Sequence, residues 1–199
     1  MTLHFNDSRT RENLMRAFAG ESQARNRYTF AAQQAKENKL RIVADVFTFT
    51  AAQEKEHAEV FYELLSACAG QTIHVDGGYP VNISTELTDL LSAARHNETE
   101  EAEDAYPTFA RIAREEGFTR VGDVFAAIAQ VEKTHAQRFE RFEQMLRDGT
   151  LFEEKGSAGW LCLNCGHIHQ GNQAPGLCPV CRHDQGPFIR TDLVPFTLL

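Results

Sequence analysis

VGDVFAAIAQVEKTHAQRFERFEQMLR, residues 121–147, is the stretch that decides the fold. Steps of three and four from Phe125 pick out Phe125, Ile128, Glu132, His135, Phe139, Phe142 and Leu146. That is the apolar stripe of a core-facing helix, with a carboxylate and an imidazole set in its middle. A second stretch repeats the pattern as Phe47, Thr50, Glu54, His57, Phe61, Leu64 and Cys68. Side chains three apart share a helix face, so each Glu-x-x-His pair points the same way as its apolar neighbours. A buried, unpaired carboxylate costs roughly several kcal/mol, and a metal ion removes that penalty.

The rest of the helical region follows from this pair. Asp7 or Ser8 is a suitable N-cap for a first helix to about Asn38, with the stripe Leu14, Phe18, Glu21, Tyr28, Ala31/Ala32 and Ala35. The second helix is expected from Arg41 to Cys68. Gly70, Gly77, Gly78 and Pro80 then mark a long connection. A third helix is expected from Ser84 or Thr85, with Leu91, Ala94, Glu98, Glu101, Ala105, Phe109 and Ile112 at helical spacing, ended by Gly117. Glu100 and Glu103 fall on the solvent side. Cys68 reads as a packing residue, with a reactive thiol as the alternative.

A shift of 78 residues, the separation of Glu54 and Glu132, aligns Tyr28 with Tyr106, Phe47 with Phe125, His57 with His135 and Phe61 with Phe139. The four helices therefore form a duplicated hairpin whose halves face each other about a pseudo-twofold axis. The repeat has one flaw: Glu21 precedes Tyr28 by seven residues, whereas Glu98 precedes Tyr106 by eight. One extra residue turns a side chain by roughly 100° on an ideal helix, so a π-bulge or kink is expected between Glu98 and Pro107.

The inward inventory is Glu21, Glu54, His57, Glu98, Glu101, Glu132 and His135. One Glu from each of two helices plus Glu-x-x-His from each of the other two is the ligand pattern of ferritin-like dinuclear sites, and these donors suit iron or manganese. Glu54 and Glu132 are the expected bridges. Glu101 is one carboxylate more than the pattern requires. Downstream, Cys162-Leu-Asn-Cys165 and Cys178-Pro-Val-Cys181 form two C-x-x-C knuckles, a tetrahedral all-thiolate site for which zinc and iron are both sensible, the spacing alone slightly favouring zinc. His167, His169 and His183 read as surface residues beside a complete ligand shell.

With a length of 199 residues, there is room for one helical domain and a small extra module. The net charge of -8 argues against nucleic-acid binding, which needs a basic face. No apolar run has the length of a signal peptide or a membrane span, and paired thiols of this kind fit a reducing compartment, so a cytoplasmic location is expected. No Gly-x-Gly-x-x-Gly follows a strand, so no nicotinamide or flavin domain is visible.

The two constellations, in this order, resemble the rubrerythrin family, as do Ala105-Tyr-Pro-Thr-Phe-Ala-Arg-Ile-Ala-Arg-Glu-Glu-Gly117 and Trp160 before the first cysteine. Arg182 and Asp184 depart from the small residue and proline expected there. The resemblance implies an all-α ferritin-like four-helix bundle over 1–147, a linker over 148–159 and a β-rich rubredoxin-like domain over 160–199. It implies two irons held by Glu21, Glu54, Glu98, Glu101, Glu132 and His135 when oxidised, with His57 replacing Glu101 on reduction. A third iron would sit on Cys162, Cys165, Cys178 and Cys181, with zinc possible there. The candidate catalytic residues are Glu101, His57, Tyr28 and Tyr106; the tyrosines either hydrogen-bond ligand carboxylates or simply pack. The activity implied is reduction of hydrogen peroxide to water in oxidative-stress defence, fed by rubredoxin or an NAD(P)H-dependent reductase in a head-to-tail homodimer. The rivals are a ferroxidase or iron-storage protein and a zinc-loaded redox or metal sensor.

Overall fold

A computed structural model describes residues 3–194; the ends of the two expected domains, 1–2 and 195–199, lie outside the described residues. Ser8 caps the first helix, α1 (Arg9–Glu37), by accepting from the Arg11 amide at 3.1 Å. The Glu116 carboxylate receives the Arg9 and Thr10 amides at 3.0 and 2.8 Å, so two more free donors of that helix end are met from across the bundle. Lys39, in the left-handed region at φ 60°, turns the chain into α2 (Arg41–Leu64). The expected continuation of this helix to Cys68 is corrected: α2 stops at Leu64 and a separate 3-10 turn covers Ser66–Cys68. Cys68 is buried, with Sγ 3.4 Å from Asn6 Oδ1, as a packing residue would be.

The third helix, α3 (Leu87–Glu100), starts later than expected, because Ser84 Oγ accepts from the Glu86 amide at 3.0 Å and forms a turn ahead of the helix. A π-helical segment, Glu101–Ala105, follows directly and leads into α4 (Tyr106–Glu115). The Tyr106 amide reaches back to the Glu101 carbonyl, five residues away. This is the bulge expected from the eight-residue spacing. Gly117, at φ 90°, ends α4, and α5 (Thr119–Arg147) completes the bundle.

The duplication is visible in the packing. Tyr28, Phe47 and Phe139 form one aromatic trio, with ring centroids 5.1–6.0 Å apart. Their repeat mates Tyr106, Phe125 and Phe61 form the other, at 5.0–5.8 Å. The four phenylalanines of these trios are fully buried, each stabilising the fold by about 1.5–3 kcal/mol. The trios lie in two separate apolar clusters, and the polar inward side chains lie in the same helix stripes between them.

Beyond α5 comes a three-stranded antiparallel sheet in the order β2-β1-β3: β1 (Glu153–Cys162), β2 (Ile168–Gln173) and β3 (Phe188–Arg190). Residues 153–159, expected in the linker, are strand, so the connection narrows to 148–152. Trp160 is fully buried with Phe188, and its Nε1 donates to the Gly171 carbonyl at 3.1 Å. The module docks on its own bundle. The Ile42 amide donates to the Gly186 carbonyl at 3.0 Å, and Arg41 Nη1 donates to Asn164 Oδ1 at 3.1 Å. Ile189, Leu161 and Leu163 extend the bundle's apolar cluster.

Candidate metal centres

Four helices deliver one carboxylate or one Glu-His pair each to the middle of the bundle. Glu54 Oε2 lies 3.1 Å from His57 Nδ1 and Glu54 Oε1 lies 3.0 Å from His135 Nδ1. Glu132 does the same, with Oε1 at 2.9 Å from His57 Nδ1 and Oε2 at 2.8 Å from His135 Nδ1. Each of these carboxylates therefore presents one oxygen to either half, the geometry of a bridge. Glu21 completes the His57 half and Glu98 the His135 half; in each set the ligand atoms lie within 4.8 Å of one another. The Tyr106 hydroxyl donates to Glu21, and its repeat mate Tyr28 donates to Glu98. Of the two readings of the tyrosines, hydrogen bonding to ligand carboxylates holds.

The residues fit a metal pair. Glu54 Oε1, Glu98 Oε2, both Glu132 oxygens and His135 Nδ1 are buried and make no directed hydrogen bond, although they crowd together. Native proteins rarely leave such groups orphaned, and lone pairs aimed at a common point are what a cation needs. The electrostatics agree. Burial raises Glu21 and Glu98 well above the usual carboxylate range, and neighbouring carboxylates add to it. Burial pulls His135 down, but close contact with Glu132, Glu54 and Glu98 outweighs this and raises it to about 12. His57 is raised to about 9 in the same way, burial being outweighed by Glu132 and Glu54. Burial pushes Glu132 up, yet His135 and His57 carry it down to about 2. The site gathers positive charge wherever it can.

Glu101 stands apart. It is absent from both ligand sets, and instead lines a chamber of about 260 Å³ with Arg27 and Tyr79. Burial, then Glu132 and Glu54, raise it to about 8. His57 is in the cluster and Glu101 is withdrawn, so the structure assembles six of the seven expected side chains.

The four cysteines also converge. Cys162 and Cys181 Sγ are 3.8 Å apart, and Cys165 and Cys178 Sγ are 3.7 Å apart. These are far beyond a disulfide bond, and they match the edge of a tetrahedron with metal–sulfur bonds of about 2.3 Å. The His183 amide is the largest influence lowering Cys181, to about 5, so a thiolate stands ready there. The two knuckles turn alike, through Gly166 at φ 80° and Arg182 at φ 62°. His183 is exposed as expected, whereas His167 and His169 are half-buried; none is in the ligand set.

A family model described as rubrerythrin matches residues 12–143, and one described as the rubredoxin-like domain of rubrerythrin matches residues 160–189. The chain belongs to the rubrerythrin family. It is 41% identical over 181 residues to a rubrerythrin of Nitratidesulfovibrio vulgaris, covering 91% of this chain and 93% of the relative. A Porphyromonas gingivalis rubrerythrin is 42% identical, with 91% and 89% covered. Nigerythrin in its mixed-valence state superposes with a TM-score of 0.61 at 29% identity, covering 92% and 90%. A Desulfovibrio desulfuricans bacterioferritin, at TM-score 0.62 and 21% identity over 71% and 81%, shares the fold. The chain thus carries a Glu/His diiron site and a rubredoxin-like four-cysteine iron site, and is a redox protein of this family.

Sequence reasoning missed two neighbours of the site. Arg138 Nη1 donates to Thr50 Oγ1 at 2.9 Å and Gln53 Oε1 at 3.0 Å, and its guanidinium lies over the Phe49 ring. Its signal was its place three residues after His135, on the same face; its repeat mate, Val60, gave no hint. Tyr79, beside Glu101, lies in a connection without periodicity and had no signal.

Proposed function

We propose that this protein is a peroxidase that reduces hydrogen peroxide to water. The observation that carries the reading is the pairing, in one chain, of a two-metal carboxylate cluster with a separate four-thiolate site. With iron bound, the first supplies the two electrons that cleave an oxygen–oxygen bond and the second returns them singly. A storage protein has no use for the second site.

The chain's own residues do the rest. Cleavage to two waters consumes two protons, and Glu101, whose carboxyl is raised by burial above its usual range in the metal-free chain, lies in the chamber beside the cluster, where it can hand one on. Once it has given that proton up, Glu101 is a free carboxylate able to follow the charge of an oxidised pair. Four carboxylates, Glu21, Glu54, Glu98 and Glu132, balance two divalent ions; two trivalent ions need more, and Glu101 is the nearest further anion. His57, whose Nδ1 faces Glu21, Glu54 and Glu132, would hold a metal ion there when Glu101 does not. Tyr106 and Tyr28 fix the orientation of Glu21 and Glu98, so that motion is confined to Glu101 and His57.

Electrons come from a separate donor, rubredoxin or an NAD(P)H-dependent reductase. The four-cysteine module sits at the Arg41 end of α2, and Glu54 is 13 residues on, roughly 20 Å along the helix. The same reading takes the protein as a cytoplasmic head-to-tail homodimer, in which the four-cysteine site of one subunit serves the cluster of the other. The test is to reduce the protein anaerobically and add hydrogen peroxide in measured equivalents, following the visible spectrum alongside metal analysis. Ferric-thiolate absorption should appear only after the diiron pair is oxidised, with three irons per chain. Zinc at the cysteines, an unchanged spectrum, or iron accumulating far beyond three per chain would overturn the reading.

A further inference from the structure

The connection between α2 and α3 crosses the mouth of the Glu101 chamber, pinned to one stripe of α1. Arg16, Gly20, Gln23 and Arg27 succeed one another at steps of four, three and four, so they share a face. Arg16 Nε donates to the Asp76 carbonyl at 3.0 Å and Arg16 Nη2 to Asp76 Oδ1 at 2.6 Å. Further along, Gln23 Nε2 and Arg27 Nη1 each approach the Pro80 carbonyl at 3.5 Å. Between these anchors the stripe has a gap at Gly20, and the ring of Tyr79 lies over it. A Cβ on Gly20 would meet Tyr79 Cε1 at 3.8 Å and Glu101 Oε1 at 4.0 Å. The Tyr79 hydroxyl donates to the Arg16 carbonyl at 3.3 Å. The ring is thus tethered through its hydroxyl, and its edge and the Glu101 carboxylate both border the space that a side chain at position 20 would fill.

We propose that Tyr79, held across Gly20 by the Arg16–Asp76 clamp, is the size filter of the chamber leading to Glu101, admitting hydrogen peroxide and turning away bulky organic hydroperoxides. Glu101 and Tyr106 line the chamber together with Tyr79, and Tyr106 donates to Glu21 of the cluster, so the chamber adjoins the ligand set. Bulk is decided by one aromatic ring, because the facing position on α1 has no side chain. The clamp itself is exposed, Asp76 showing 93% of its side chain to solvent, so the strap is held by contacts that water competes for. The ring belongs to a segment outside the helices, and removing it leaves the bundle's core untouched.

The inference takes its substrate from the peroxidase reading but its geometry stands alone, and the test separates the two. In the iron-loaded full chain, Tyr79→Ala, Tyr79→Phe and Asp76→Ala are compared for turnover of hydrogen peroxide and cumene hydroperoxide. In the oxidised protein, binding of azide and of phenol is followed through their visible bands. Opening a pocket by one ring should raise cumene hydroperoxide turnover relative to hydrogen peroxide by roughly tenfold or more in Tyr79→Ala. Phenol binding should accelerate alike while azide binding stays as it was, and Tyr79→Phe, which keeps the ring, should discriminate as the parent does. Asp76→Ala should fall between. If no variant turns over peroxide yet phenol enters Tyr79→Ala faster, the filter stands and the peroxidase reading falls. If Tyr79→Ala keeps the parent's preference and the parent's phenol rate, the filter is overturned.

Discussion

Arg182 shows how a single backbone angle is read in a side chain. The first knuckle turns through Gly166 at φ 80°, the second through Arg182 at φ 62°. A side chain in the left-handed region costs roughly 1–2 kcal/mol, partly offset because glycine loses more freedom on folding. Arg182→Gly should therefore raise the stability of the cysteine module by about 1 kcal/mol, read as a higher urea midpoint of the iron-loaded protein. An unchanged midpoint would mean that Arg182 stabilises the turn in compensation. The buried histidines lead to a second expectation. His57 is raised from 6.5 to about 9 and His135 to about 12, so the folded chain holds protons that the unfolded chain releases. Their contribution is whole below pH 6.5 and is lost as pH rises, first through about 9. Glu21 and Glu98, raised likewise, lose theirs in the same upward direction. Glu132, lowered to about 2, acts oppositely, but only below its ordinary value of 4.5. Protein stripped of metal should accordingly melt at falling temperatures between pH 6.5 and 9, and iron should flatten the slope by replacing protons as the counter-charge. Calorimetry of both forms decides; a rising curve for the stripped protein refutes it.

At the scale of the element, the π-segment explains two features that a regular helix could not hold together. It lets Glu98 and Tyr106 keep the relation that Glu21 and Tyr28 have one residue closer, and it brings Pro107 into the first turn of α4, where no amide is needed. Deleting Ala102 should restore an unbroken α-helix and place the proline inside it, at a cost of about 3 kcal/mol. Adding Pro107→Ala to the deletion should recover most of that loss in urea unfolding. A deletion variant as stable as its parent would show the bulge to be incidental. The bulge was legible because a repeat makes a one-residue insertion visible as seven against eight. Helix existence, the inward stripes and the two carboxylates shared by both ligand sets were legible for the same reason: burial imposes a period, and a charge within that period needs an explanation. Whether Glu101 ligates or withdraws carries no period, since both positions lie within reach of one side chain. Tyr79 had none either, in a connection built from neither helix nor strand.

For the whole molecule, β1 begins at Glu153, inside the stretch read from sequence as a linker over 148–159, because Glu153-Glu-Lys-Gly-Ser lacks the alternation of a half-buried strand. What sequence could not convey is that the module is seated on its own bundle. The seat is a close backbone approach: a Cβ on Gly186 would stand 2.2 Å from the Lys39 carbonyl oxygen, at the tight turn between α1 and α2. Neither backbone can yield easily, since Lys39 is itself at φ 60° and the Gly186 carbonyl accepts from the Ile42 amide. Gly186→Ala should thus lift the module off the turn while leaving both metal sets intact, as they draw no residue from the contact. Hydrogen exchange at the Ile42 amide should accelerate, and iron content should stay at the parent's value. A single stoichiometric oxidation of the pre-reduced diiron site should proceed as before, because its ligands and chamber are within the bundle. On the proposed relay, sustained turnover with an external donor should fall, because the four-cysteine site would no longer be held in a fixed place for handing electrons on. If Ile42 stays protected and turnover is unchanged, the seat has no part in positioning the relay.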